Sequence, residues 1–296
     1  MHPQNSKTEK IWRLIDIINW GEKYFKEKSF DNPRIEIETL LQHIIGCKKI
    51  DLYLQFENTV TPDNLIILRG LIKRRVNREP MQYIIGSSEF YGRKFFVNQD
   101  VLIPRPETEK LIDVSIDILS KKENPIILDV GTGSGCIGVT IALEIPFSSV
   151  IAIDISNSAL SKAKKNADTY GLKNIQFINL DILSQDINHT ADMLISNPPY
   201  ISQEEIPDLM IDVKNFEPMV ALTDNSDGLE FYRKFSNIIP QVVKKNGVTI
   251  LEVGRGAHPE RVKEIFSKAG YDNIESVRDL NKDTSCLLYT SDAADE

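Results

Sequence analysis

The chain has 296 residues, enough for one large or two ordinary domains, and its 41% apolar and 26% charged content is that of a soluble globular protein. No run of about 18 or more apolar residues occurs, so no membrane span is expected, and the opening MHPQNSKTEK lacks the apolar core of a signal peptide. Residues 1–85 carry a net charge of +3 (14 Lys and Arg against 11 Asp and Glu) and the remainder −11 (21 against 32), which argues against a phosphate backbone as substrate.

The first 85 residues read as helices. EKIWRLIDIINWGEKYF sets Ile11, Trp12, Ile15, Ile18 and Trp20 near one face. A second helix is expected from Pro33 to a glycine cap at Gly46, and a third from an N-cap at Thr61 with Pro62 in its first turn. The one basic run, Lys73, Arg74, Arg75 and Arg78, reads as a solvated helix end. No grouping of acid, base and nucleophile appears, so residues 1–85 are expected to form a helical substrate-recognition domain. SEFYGRKFFVNQDVLI then changes period, two β-rich runs flanking an Asn98-Gln99-Asp100 turn, and residues 86–103 are expected to form a linking hairpin. Pro106-Glu107 opens a helix to about Ser120.

From Pro125 the chain alternates strand and helix. PIILDV, SVIAIDI, IQFINL, ADMLIS and VTILEV are the expected strands, with helices near 136–144, 156–170, 228–239 and 258–269. That rhythm predicts an α/β fold with an open, mostly parallel sheet, whose ligands bind at the carboxyl ends of the strands. Three widely spaced cysteines, Cys47, Cys136 and Cys286, form no paired framework and fit a reducing cytoplasm. Four scattered histidines give no metal site.

The strand ends carry the chemistry. LDVGTGSGC (128–136) fails the dinucleotide fingerprint, which puts a small residue where this chain has Cys136. The pattern present, DxGxGxG from Asp129 to Gly135, is that of S-adenosylmethionine methyltransferases. Asp154, ending the next strand, can accept from both hydroxyls of a ribose; its other reading is a helix cap, although Ser156 can fill that role. Asp181 can accept from an adenine amino group while Ile182 packs on the ring. The fourth strand ends in Asn197-Pro198-Pro199-Tyr200. An amino group conjugated to a carbonyl or ring has a delocalised lone pair. The Asn197 side chain and the Pro198 main chain offer two acceptors for its hydrogens and favour a pyramidal nitrogen. The prolines stiffen the corner, and Tyr200 can stack on the planar target.

NPPY in this position resembles the amino-methyltransferases that act on adenine, guanine or glutamine amides. PMQYIIGSSEFYGRKFFVNQDVLIPRPETE (80–109), LDVGTGSGCIGV, SNPPYIS and FEP…AL…DGLEFYR (216–233) together resemble the peptide chain release factor glutamine methyltransferases, the HemK/PrmC family. The resemblance implies a Rossmann-like class I methyltransferase sheet over 104–290, with S-adenosyl-L-methionine as cofactor and S-adenosyl-L-homocysteine as product. It implies methyl transfer to the glutamine of a Gly-Gly-Gln loop in release factors. Carried over by motif, Gly131, Thr132, Gly133, Ser134, Gly135, Asp154, Asp181, Ile182 and Asn197 would contact the cofactor. Asn197, Pro198, Pro199 and Tyr200 would hold the glutamine, with Asn197, Pro198 and Tyr200 catalytic. Two stretches depart from the family: Arg255-Gly256-Ala257-His258 replaces a segment that often carries glutamine, and CLLYTSDAADE (286–296) reads as non-native, its last six residues, 291–296, an expected disordered tail.

The leading alternative is an adenine amino-methyltransferase acting on DNA or RNA with the same corner. It would need a basic cleft and a way to present the base, and the −11 balance opposes it, so no direct nucleic-acid substrate is expected. A non-catalytic scaffold would predict a degraded NPPY, and this one is intact.

Overall fold

The structure, a computed structural model, describes residues 11–278 and 284–290. The expected tail at 291–296 lies outside the described residues. The chain divides into two compact units, residues 1–85 and 86–296.

The first unit is helical: α1 (Leu14–Glu27), α2 (Pro33–Ile45), α3 (Lys49–Leu54), α4 (Pro62–Val76) and α5 (Met81–Ile85). The caps are those expected. Gly46 closes α2 in the left-handed conformation, and the Thr61 hydroxyl accepts from Asn64 N at the start of α4. The buried face of α1 is only partly the expected one: Ile18 is buried and Trp12 packs against the core. Leu14, Ile17, Ile18, Gly21 and Phe25 face the core, whereas Ile11 is 74% and Trp20 42% exposed. The reason is local: residues 11–12 are not helical, Arg13 bridges Thr59, and Trp20 stacks on Tyr24 at the surface. A β-carbon on Gly21 would lie 2.4 Å from Ile37, so glycine lets α1 and α2 approach. The basic run is not a free solvated end either. Arg75 is buried and bidentate to Glu36, Arg74 pairs with Glu79, and Arg78 donates to the Lys28 carbonyl above the Phe30 ring.

The second unit opens with a hairpin, β1 (Ser87–Phe90) and β2 (Arg93–Phe96). Its turn is Tyr91-Gly92, both at positive φ, not the Asn98-Gln99-Asp100 expected. Two-residue hairpin turns require that backbone to match strand twist, and glycine supplies it. There follow a short 3₁₀ turn (Pro106–Thr108), α6 (Glu109–Leu119), β3 (Ile126–Val130), α7 (Cys136–Glu144), β4 (Ser149–Asp154), α8 (Asn157–Thr169), β5 (Ile175–Asn179) and β6 (Ala191–Ser196). Next come α9 (Ile211–Phe216), α10 (Met219–Leu222), α11 (Glu230–Val242), β7 (Val243–Glu252), α12 (His258–Lys268), β8 (Ile274–Arg278) and β9 (Thr284–Thr290). The short helices α3, α5, α9 and α10 fall in stretches too brief for periodicity to register.

The seven strands lie in the order β5-β4-β3-β6-β7-β9-β8, parallel through β7, with β9 antiparallel to both its neighbours. Alternation along each strand sorts its side chains to two cores. Ile127, Met193, Ile195 and Ile250 meet α6, α7 and the hairpin's Phe90 and Phe95. Leu128, Val130, Leu194 and Leu251 meet Tyr232 and Phe235 of α11 and Phe266 of α12. The strand order reverses between β3 and β6, which opens a crevice at their carboxyl ends. No helix among the described residues is long and apolar enough to cross a membrane.

Candidate active site

The loop after β3 is tied down by short-range bonds. Asp129 is fully buried; its Oδ2 accepts from the Thr132 hydroxyl at 2.6 Å and Gly138 N at 2.9 Å, and burial pushes its acid up to about 6. Gly131 N and Thr132 N donate to the Ile153 carbonyl at 2.8 and 3.0 Å, which fastens the loop to β4. Gly135 has φ +81°, and a β-carbon there would sit 3.0 Å from Ala163 Cβ, so only glycine admits α8. The loop therefore divides. Gly131 and Gly133 line the crevice, whereas Thr132, Ser134 and Gly135 are not among its lining residues. Their part is structural: Thr132 holds Asp129, Gly135 packs on α8, and the Ser134 carbonyl accepts from Asn166 at 2.8 Å.

Asp154 is not the cap of α8; Ser156 is, accepting from Ala159 N at 3.2 Å. Asp154 Oδ2 takes Gly133 N and Oδ1 takes Ser156 N, both at 2.9 Å, which leaves a lone pair on each oxygen for a ligand. Burial raises this acid, opposed by the backbone donors. Asp181 accepts from Leu183 N at 3.0 Å and the Ser184 hydroxyl at 2.7 Å, which turns the chain so that Ile182 is buried. These groups line a cavity of about 270 Å³, near the lower end of the roughly 300–1,000 Å³ usual for small-molecule sites. Four aspartates, Asp100, Asp154, Asp181 and Asp224, line it, with no lysine, arginine or histidine among the lining residues. Such walls disfavour a pyrophosphate and suit a neutral ribose carrying a cationic sulfonium.

A second cavity, about 510 Å³, lies alongside and is lined by Arg105, Glu107, Tyr200, Glu252 and Arg255. Asn197, with Leu102 and Ala221, lines both. Pro199 lines only the first and Tyr200 only the second; Pro198 is buried and lines neither. The register sets this corner. Ser196 of β6 pairs with Leu251 of β7, so Asn197 and Glu252 leave the sheet side by side. Asn197 Nδ2 donates to Thr108 Oγ1 at 3.2 Å, and the Thr108 hydroxyl donates to Glu252 Oε2 at 2.6 Å. Glu252 is 3% exposed, and burial pushes its acid up to about 7 against the bonds it receives. The Tyr232 hydroxyl donates to the Glu252 carbonyl at 2.7 Å.

Tyr200 is braced from behind. Its ring lies 5.9 Å from that of His258, and burial pushes its phenol well above the usual range. His258 Nδ1 accepts from Gly254 N and Nε2 donates to the Gly228 carbonyl, both at 3.2 Å, an arrangement that needs the neutral ring. Burial lowers its pKa, in keeping with this. Arg255-Gly256-Ala257-His258 thus opens α12 with a histidine strut. Arg105 pairs with the buried Glu217 at 2.6 Å, and Glu217 also takes Ile103 N at 3.2 Å.

Sequence reasoning did not single out Thr108, Glu252, Asn166 or His258 as site residues. Thr108 and Glu252 stand inside the RPETE and LEVG stretches, yet nothing in the sequence pairs residues 144 apart. Asn166 carries no signal at all, although it clamps Phe96 of the hairpin at both its N–H and its carbonyl.

A mostly parallel sheet with its glycine loop, acidic strand ends and acidic cavity defines an S-adenosylmethionine-dependent methyltransferase. Known proteins narrow this. Residues 16–86 match the family model of the PrmC N-terminal domain, and residues 111–213 that of the methyltransferase small domain. The chain is 39% identical over 286 residues to the release factor glutamine methyltransferase of Bacillus subtilis, covering 93% of this chain and 97% of that protein. It is 36% identical to that of Chlorobaculum tepidum, over 93% and 96%. Among solved structures, the hMettl16 catalytic domain in complex with the MAT2A 3'UTR hairpin 1 shares the fold, with TM-score 0.58 and 15% identity over 99% of this chain and 96% of that one. The chain belongs to the release factor glutamine methyltransferase family.

Proposed function

We propose that the chain transfers a methyl group from S-adenosyl-L-methionine to the side-chain amide nitrogen of the glutamine in the Gly-Gly-Gln loop of peptide chain release factors. The observation that carries this is the position of Asn197, which lines both the acidic cavity and its charged neighbour. Gly131, Gly133, Asp154, Asp181 and Ile182 would hold the methyl donor, with Asp154 using its spare lone pairs on the ribose. When bound, the donor supplies an electrophilic methyl on a sulfonium, so no group of the protein has to activate it. The protein's work is on the acceptor. Asn197 Oδ1 accepts one amide hydrogen and helps turn the nitrogen lone pair toward the methyl carbon; the Pro198 carbonyl is the second acceptor that the motif implies, although Pro198 lines neither cavity. The new N–C bond forms as the S–C bond breaks, its electron pair staying on sulfur, and the extra amide proton leaves to water afterwards. Tyr200, braced by His258, forms a wall for the planar amide.

This reading puts the reaction in the cytoplasm, where free cysteines persist and release factors work. It leaves no direct role for nucleic acid. The arginines of the one basic run are engaged inside the first unit, and the acidic cavity would repel phosphates. The first unit is assigned to recognition of the protein substrate. Removing residues 1–80 should spare cofactor binding and weaken turnover of intact factor; equal turnover by the shortened chain would sink that assignment.

The decisive test is mass spectrometry of a release factor incubated with the protein and the methyl donor. One added methyl on the glutamine of the Gly-Gly-Gln loop supports the reading. An untouched factor beside methylated DNA or RNA would refute it in favour of the adenine alternative.

A further inference from the structure

The Asn197 amide has two ends, and only one orientation serves the reaction. We infer that Thr108 and Glu252 form a polar relay that fixes this orientation, so that ionisation of Glu252 switches the acceptor site between competent and incompetent forms. The inference rests on the reading of Asn197 given above and adds two positioning residues to it.

A carboxylate only accepts hydrogen bonds, so the Thr108 hydroxyl, 2.6 Å from Glu252 Oε2, spends its one hydrogen there. Its oxygen can then only accept, and the Asn197 group facing it at 3.2 Å must be Nδ2. Oδ1 is thereby turned away from the relay and left free for the acceptor amide. Thr108 is 2% exposed and Glu252 3%, so the bond between them is largely shielded from water.

Protonation of Glu252 reverses the chain. A neutral carboxyl can donate to Thr108 Oγ1, which frees the hydroxyl hydrogen to point at Asn197. The amide then gains by rotating Oδ1 toward Thr108, and Nδ2 faces the N–H groups of the reacting amide nitrogen. Two donors meet, and the lone pair is no longer oriented. The surroundings set where this happens. Burial and Glu107 raise the Glu252 acid to about 7, opposed by Arg105 and the bonds from Thr108 and Asn197. Tyr200 of the NPPY corner, Tyr232 of α11 and Cys136 of α7 face it as neutral groups held neutral by burial. Arg255 lines the same cavity, and Cys286 of β9 pairs with Glu252 across the sheet.

The test uses the full chain with an intact release factor, following kcat, KM and cofactor affinity from pH 5.5 to 9. Wild-type kcat should rise with pH to a plateau with a midpoint near neutrality. Thr108→Val keeps the shape and removes the hydroxyl; it should lower plateau kcat about tenfold or more with cofactor affinity within about twofold, while Thr108→Ser restores most of the rate. Glu252→Gln should be slow and should lose the pH-dependent rise. Should Thr108→Val fail to fold, the wild-type and Glu252→Gln profiles decide alone. A Glu252→Gln protein that keeps the wild-type profile, or a folded Thr108→Val protein with undiminished kcat, overturns the relay. A wild-type protein inert toward release factor overturns the reading of the acceptor instead, so the two failures are told apart.

Discussion

On the side of Asn197 proposed to hold the methyl donor the walls are held by bonds between segments close in sequence; on the side proposed for the acceptor they are held by bonds between distant segments. Asp129 reaches Thr132 and Gly138, Asp154 reaches Ser156 and Gly133, and Asp181 reaches Leu183 and Ser184, none more than 21 residues away. Across the corner, Asn197 reaches Thr108 over 89 residues, Arg105 reaches Glu217 over 112 and Thr108 reaches Glu252 over 144. The charges differ as well, four aspartates and no basic residue among the lining on one side and both signs on the other. A cofactor shared by many methyltransferases can be met by a local strand-to-loop device. An amide that must be held at both hydrogens needs several segments brought together, and therefore the finished fold.

Asn197→Ala tests where the two sides meet and should give the largest effect. Loss of an acceptor used in the transition state should slow transfer by roughly a hundredfold or more, while cofactor affinity falls by less than about threefold. Single-turnover rates and calorimetry measure both. A variant that turns over at near the wild-type rate would remove Asn197 from the chemistry.

The acceptor side should also carry a cost visible without any substrate. Glu252 has its folded-state pKa raised to about 7, so the folded protein binds that proton more tightly than the unfolded chain does. Stability from this group is present below the unfolded carboxyl value of about 4.5 and falls as pH rises through about 7. Glu252→Gln lacks this dependence. Relative to the wild type it should gain on the order of 2–3 kcal/mol between pH 4.5 and 7.5, read from denaturant midpoints. A constant difference across that range would show that the carboxyl does not titrate there.

Asp154→Ala belongs to the donor side and should be the milder change. Losing charge-assisted bonds to a ribose should weaken cofactor binding by about 1–3 kcal/mol, with kcat at saturating cofactor little altered. A fall in kcat with unchanged affinity would place Asp154 on the wrong side of the corner.

Residue pattern alone reached the alternating strands and helices from Pro125 onward, the caps at Gly46 and Thr61, the glycine loop and the NPPY corner. Each of these is set by neighbours: period-two burial, a positive φ, a missing backbone N–H. Where neighbours mislead, the pattern misled. The spacing placed Ile11 and Trp20 on a buried face but both are exposed, Ile11 in a non-helical segment and Trp20 stacked on Tyr24, and Asn98-Gln99-Asp100 looked more turn-like than Tyr91-Gly92. Within the DxGxGxG loop the spacing could not separate Gly131 and Gly133, which face the cavity, from Gly135, which packs against Ala163. Only the folded sheet decided that Asn197 and Glu252 emerge on adjacent strands and that Thr108 stands between them. That decision comes from strand register and from the burial that forces polar groups to find one another. Neither is written in any short stretch of the chain.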